Sequence, residues 1–136
     1  MPQKTLRKKS LGFTLIELLI VMIILGLLAS LVGPELMGKV DSSRVKTAET
    51  QINMLSSALD TYRLDVGSYP KSLKALRESD HKNWDGPYLP KDVPLDPWGN
   101  EYQYANPGTE GRKYDLYSFG QDGSPGGEGD SADIYF

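Results

Sequence analysis

The chain has no cysteine and a single histidine, His81, in its 136 residues. The first absence excludes disulfide staples and thiolate metal sites. The second argues against an imidazole-based catalytic or zinc centre, which draws on several such ligands. No glycine-rich phosphate cradle precedes a helix. Acids are missing from the first 16 residues, where Lys4, Arg7, Lys8 and Lys9 all fall. Removing those four from 15 basic residues leaves 11 against 18 acids, a balance of −7 for the remainder. So acidic a surface is a poor partner for nucleic acid.

What is present starts at the basic cluster. It leads into an apolar run from Phe13 to Val32 that carries one acid, Glu17. The run is about 20 residues, the length that crosses a bilayer as a single helix. A basic flank stays cytoplasmic, so the acidic remainder belongs on the far side of the membrane. A cleaved secretory signal fits less well. Its apolar core is usually about 7–15 residues, and Ala29-Ser30-Leu31 lacks the second small residue of a cleavage cue.

Gly33-Pro34 follows the run and either ends the helix or kinks it, because proline lacks a donor and disfavours helix just before it. The next segment favours a kink or a local loosening. Val45, Ala48, Ile52, Leu55, Leu59 and Tyr62 recur at alternating spacings of three and four, the stripe of an amphipathic helix. Such a stripe suits a core face better than a coiled-coil seam. Gly67 is placed to cap the helix after Val66. As one helix, Phe13 to Val66 would be ~80 Å long.

Beyond it, Pro70, Pro87, Pro90, Pro94 and Pro97 mark a packed loop, with a short helical turn at Ser72–Leu76. Asp96-Pro97-Trp98-Gly99-Asn100 reads as a turn. Glu101–Tyr104 and Tyr114–Phe119 alternate and are rich in aromatics, as half-buried strands are. Ile134–Phe136 adds a third short strand. The expected fold is α+β: a long N-terminal helix, transmembrane in its first half and amphipathic in its second, packed on a small C-terminal antiparallel sheet. Asp92 and Asp96 flank prolines and read as solvated surface, His81 as exposed, and Trp84 and Trp98 as packing anchors.

Two constellations could carry function. The first is Gly12-Phe13-Thr14-Leu15-Ile16-Glu17. A cut between Gly12 and Phe13 would free an amine near Glu17. A carboxylate in lipid costs about 2.5–3.5 kcal/mol on insertion scales, and a cation offsets it best. Phe13 and Glu17 are i and i+4, so the pair can form within one helix. In a staggered bundle the amine of a sister chain serves equally and fixes register. The bland alternative is an acid near the interface, hydrated by local thinning.

The second constellation runs from Phe119 to Asp133, with three aspartates, one glutamate and five glycines. Carboxylates and inward-turned carbonyls are the hard oxygen ligands calcium takes. Counted from Asp122, the pattern partly echoes an EF-hand loop but departs at Ser124 and Gly126 and follows a strand, so a true EF-hand is rejected. The alternative is a flexible acidic surface loop.

Lys8-Lys9 through Glu17 resembles the leader and cleavage site of type IV pilins and type II secretion pseudopilins. Gly67-Ser68-Tyr69-Pro70, Asp96–Asn100 and the glycine- and aspartate-rich tail extend the likeness to the major pseudopilins of type II secretion along almost the whole chain. The resemblance implies a pilin-like fold in three parts. Residues 1–12 are a leader, 13–33 a transmembrane and polymerisation helix, and 34–136 a periplasmic globular domain. It further implies cleavage after Gly12 by prepilin peptidase, N-methylation of Phe13, and Glu17 as the assembly acid. Helix loosening in the filament would lie between Gly26 and Pro34. In the tail it implies a calcium site that stands in for the disulfide of many true pilins. Its ligands would be the side chains of Asp122 and Asp130 and carbonyls near Phe119 and Ser124, with Ser131 and Asp133 as further candidates.

The function so implied is structural: a homopolymer at the inner membrane whose periplasmic filament drives export of folded proteins. Its partners would be minor pseudopilins, prepilin peptidase, and an assembly platform with its ATPase. The competing readings are a type IV pilus subunit and a membrane-anchored periplasmic enzyme or calcium-binding module.

Overall fold

A computed structural model describes residues 10–136, less the side chains of Met37 and Asp130. Lys4, Arg7, Lys8 and Lys9 therefore lie outside the described residues. Helix α1 spans Leu15–Val66 and includes Pro34, so the Gly33-Pro34 pair does not end it. The proline leaves the Ser30 carbonyl without its usual helical donor. The Ser30 hydroxyl turns back to the Leu27 carbonyl at 2.7 Å.

Two compact units divide along the sequence after Gly38. In the first, α1 presents its apolar run unburied. Every large apolar side chain from Leu15 to Val32 is between 49% and 88% exposed. Among the described residues α1 is the one helix long and apolar enough to cross a membrane.

The second unit is Lys39–Phe136. Here α1 turns one face to a core. Ala48, Ile52, Leu55, Leu59 and Tyr62 are buried as the spacing requires, and Val45 and Val66 are half-buried. Leu73, Leu76, Leu89, Tyr102, Tyr114 and Leu116 close over them. Full burial of each such side chain contributes about 1.5–3 kcal/mol. The helix stops where expected: Gly67 takes φ +95° and donates to the Arg63 carbonyl at 2.8 Å. Leu73–Leu76 then form a short 3-10 helix. The Trp84 indole donates to the Ala75 carbonyl at 2.7 Å, and Arg77 Nη1 to that of Leu89 at 2.7 Å, pinning the proline-rich loop beneath.

The sheet is antiparallel with order β1-β2-β3, formed by Gln103–Ala105, Asp115–Ser118 and Ile134–Tyr135. Tyr104 faces Leu116 and Ser118 faces Ile134 across the ladders. All three strands are shorter than the alternating segments suggested. Glu101 and Tyr102 precede β1, Tyr114 and Phe119 flank β2, and Phe136 follows β3.

A seam of tyrosine hydroxyls joins the C-terminal part to the polar flanks of α1. Tyr102 donates to Gln51, and Tyr114 shares a 2.7 Å hydrogen bond with Ser56. Tyr69 donates to Asp60 and Tyr88 to Asp65, both at 2.8 Å. Burial pushes the Tyr102, Tyr104 and Tyr114 hydroxyls above their ordinary range, so they stay neutral donors. Tyr69 also stacks edge-on against Tyr114, centroids 4.9 Å apart. Ser56 is buried at 3% exposure, so losing its partner is expensive. Tyr114→Phe is expected to cost about 1–3 kcal/mol in urea unfolding of the detergent-solubilised chain. In a Ser56→Ala background the same change is expected to cost clearly less.

Candidate functional sites

The first site sits at the head of α1. Thr14 is its N-cap. The Glu17 N–H donates to Thr14 Oγ1 at 3.2 Å, and the Thr14 N–H donates to Glu17 Oε2 at 3.2 Å. This reciprocal pair is a capping box, T-x-x-E, and it satisfies two donors that a helix start leaves open. Phe13 precedes the first helical residue and is 93% exposed. In the uncut chain Thr14 is thus the partner of Glu17; the Phe13 amine that could pair with it at i, i+4 would exist only after cleavage. Gly12 is exposed and outside the helix, with open space around its Cα, which suits a bond that a protease must reach.

The capping geometry bears on the cost of the acid. A cap contributes about 1 kcal/mol, and the positive end of the helix dipole about 0.3–1 kcal/mol more. Together these fall short of the ~2.5–3.5 kcal/mol that a carboxylate costs in hydrocarbon. Self-capping thus reduces the demand for an external cation without removing it.

The second site is the loop between β2 and β3. It leaves at Ser118 and returns at Ile134, which are ladder partners. Glycines shape it: Gly120, Gly123, Gly126, Gly127 and Gly129 all take positive φ. Asp122 Oδ1 accepts the Ser124 N–H at 3.1 Å. Asp133 Oδ2 accepts the Gly126 N–H at 3.1 Å, while its buried Oδ1 has no partner. Gly127 stands where these groups meet. A Cβ there would collide with the Ser131 carbonyl and lie 3.1 Å from Asp122 Oδ2.

The loop thus brings together Asp122, Ser124, Ser131 and Asp133 around the Gly126-Gly127 pair. Phe119 is half-buried at the entry, its ring edge-on to Tyr117 at 5.3 Å. The Asp130 side chain lies outside the described residues. Among those described, no three acidic or histidine side chains converge on one point. What meets at Gly127 is the Asp122 carboxylate and the Ser131 carbonyl, while Asp133 holds the neighbouring Gly126 N–H and keeps its other oxygen buried and unpaired. That oxygen-only donor set fits a hard cation such as calcium.

One residue read as solvated surface has a structural role. Asp96, expected on the solvated surface, is buried at 4% exposure. Its Oδ1 accepts the Trp98 and Asn100 N–H groups at 3.1 and 2.8 Å, and its Oδ2 accepts the Ser118 hydroxyl at 2.7 Å. The turn around Gly99 folds the chain back so that Asp96 faces inward. Asp92 stays in solvent, its side chain 97% exposed. His81 is exposed as expected, accepting the Asn83 N–H at Nδ1.

A long helix capped by its own acid, apolar and unburied in its first half, with a three-stranded antiparallel sheet closed by a glycine-rich acidic loop, defines a pilin-like subunit. Comparison with known proteins makes this specific. Residues 7–33 match the model for the prokaryotic N-terminal methylation motif, which covers Gly12, Phe13 and Glu17. Residues 35–136 match the model for type II secretion system protein G. The type II secretion system core protein G of Pseudomonas aeruginosa is 43% identical over 94% of this chain and 95% of its own length. That of Vibrio cholerae is 44% identical over 96% and 93%. The crystal structure of the major pseudopilin from the type 2 secretion system of enterohaemorrhagic Escherichia coli superposes with a TM-score of 0.60. It is 37% identical, over 75% of this chain and 93% of that one. The chain belongs to the type II secretion system protein G family, the major pseudopilins. Of the readings left open, this favours type II secretion over a type IV pilus.

The cradle at Gly127 gives a direct test of the loop geometry. Gly127→Ala, at φ +94°, is expected to cost about 1–3 kcal/mol in urea unfolding. Gly126→Ala, at φ +83° with open space around it, carries the backbone strain alone and is expected to cost less.

Proposed function

We propose that this chain is the major subunit of a type II secretion pseudopilus, cut by prepilin peptidase between Gly12 and Phe13 and polymerised through the apolar half of α1. The observation that carries the reading is Glu17: the sole acid of the apolar run, in the first turn of α1, four residues from the proposed cut. Cleavage replaces the Gly12–Phe13 amide with an amine, and N-methylation of Phe13 leaves that amine cationic. The capping box does not involve the Gly12–Phe13 bond, so it survives the cut. The Glu17 carboxylate, half-satisfied by Thr14, then meets the Phe13 amine of a sister chain. Fourteen large apolar side chains between Leu15 and Val32, unburied in the single chain, supply the contact area that lipid covers before assembly and neighbouring helices cover after it.

The basic leader holds the N-terminus in the cytoplasm, and residues 34–136 lie in the periplasm. The filament so formed, with minor pseudopilins at its side, pushes folded proteins through the outer membrane. An inner-membrane platform and its ATPase supply the work, and the subunit's own role is structural.

The loop is proposed to hold calcium. Its donors would be the Asp122 and Asp133 side chains and the Ser131 carbonyl, which the loop folds around Gly126 and Gly127, together with the Asp130 side chain and the carbonyls near Phe119 and Ser124 that the family likeness implies. When bound, the ion supplies two positive charges that relieve the mutual repulsion of these carboxylates. The buried, unpaired Asp133 Oδ1 supports this reading.

Intact-mass measurement of the membrane-extracted protein is expected to show loss of residues 1–12 and one added methyl group; a full-length, unmethylated chain would defeat the pilin-like reading. Glu17→Ala is expected to leave the globular unit folded while filament yield and secretion collapse, and normal assembly would remove the acid's role. Calcium at about 100 times its Kd is expected to stabilise the detergent-solubilised chain by about 2.7 kcal/mol, read as a Tm that drops on chelation. An unchanged Tm would return the loop to a metal-free surface segment.

A further inference from the structure

We propose that Asp96 and Ser118 are positioning residues for the calcium loop: they fix its first arm without metal, so that the ion has only the second arm to recruit. The inference rests on the calcium reading above. The two arms are held very differently. Ser118 is fully buried where the loop leaves β2. Its hydroxyl donates to Asp96 Oδ2 at 2.7 Å and accepts the Gly120 N–H at 3.1 Å. Asp96 is in turn locked by the N–H groups of Trp98 and Asn100. The Asn100 side chain then lies against Gly123, where a Cβ would stand 3.1 Å from its Nδ2. The Asp96–Asn100 turn therefore holds the first arm at Gly123 directly and at Gly120 through Ser118, on either side of Asp122.

The second arm, from Gly126 to Asp133, has no described hydrogen bond to that turn. Its tie at the return is the Gly126 N–H to Asp133, internal to the arm. Where the arms meet, at Gly127, the neighbouring groups are a carboxylate and a carbonyl, Asp122 Oδ2 and the Ser131 oxygen. Two acceptors cannot bond each other, and a cation between them can bond both. A ligand held in place before the ion arrives loses less freedom on binding. Groups that support metal ligands in this way typically govern affinity by about 10–100-fold.

The test uses the full chain in detergent micelles with calcium as the probe. Affinity is read by calorimetry, and amide hydrogen exchange is read in chelator. Ser118→Ala is expected to weaken calcium binding by about 10–100-fold. In chelator it is expected to speed exchange at Gly120–Ser124 while Gly126–Asp133 exchanges at its wild-type rate. A purely structural role would instead lower the melting point in chelator and leave the calcium Kd unchanged. Asp96→Asn keeps an acceptor for the turn but disturbs the Ser118 contact. It is expected to weaken binding in the same direction, and it carries the test should Ser118→Ala misfold. Wild-type chain that binds calcium no better than Ser118→Ala overturns the positioning role alone. Wild-type chain that binds no calcium overturns the calcium reading and this inference with it.

Discussion

A carboxylate at the head of an apolar helix sets the terms for this protein. Glu17 stands in the first turn of α1, beside side chains that are largely exposed and suited to lipid. The capping box with Thr14 and the helix dipole offset part of its cost, and the remainder calls for a cation. No basic residue lies between Lys9 and Lys39. Within the apolar segment, then, the chain has no side-chain cation of its own to offer. On the proposed reading, the cation is the amine that cleavage before Phe13 would free. Anchoring, processing and assembly follow from that single chemical shortage.

The globular unit answers a different problem. One face of α1 is apolar and needs a cover, yet the chain has no cysteine and, among the described residues, nine in strands to provide it. Tyrosine does much of that work. Tyr69, Tyr88, Tyr102 and Tyr114 bury rings against the stripe and place hydroxyls on the polar residues that edge it. The buried Asp96 does the same for the loop, closing its turn with two hydrogen bonds and tying it to β2 with a third. In a small domain such satisfied polar links fix a unique arrangement that a thin sheet alone would leave loose.

The helix was plain from residue spacing, because the three-and-four alternation from Val45 to Tyr62 is a one-dimensional signal. So was its end at Gly67, since only glycine takes that φ cheaply. The capping box is equally readable as Thr14-x-x-Glu17, a local T-x-x-E pattern. Strand ends were overdrawn because alternation persists wherever a chain is extended, while a ladder lasts only as long as its neighbour. With β3 limited to two residues, the pairing of β2 stops early. Asp96 and Ser56 were not legible at all. Their burial depends on Ser118, 22 positions away, and Tyr114, 58 positions away. Neither partner is marked by any local pattern. In the loop, composition pointed to oxygen donors, while their convergence on Gly127 is a property of the folded chain.

The most direct test of the account is a density map of the assembled filament at a resolution that shows side chains. It predicts the Glu17 carboxylate within salt-bridge distance, about 4 Å, of the methylated Phe13 amine of an adjacent subunit. A Glu17 that meets only its own Thr14, with every neighbouring amine well beyond that distance, would contradict it.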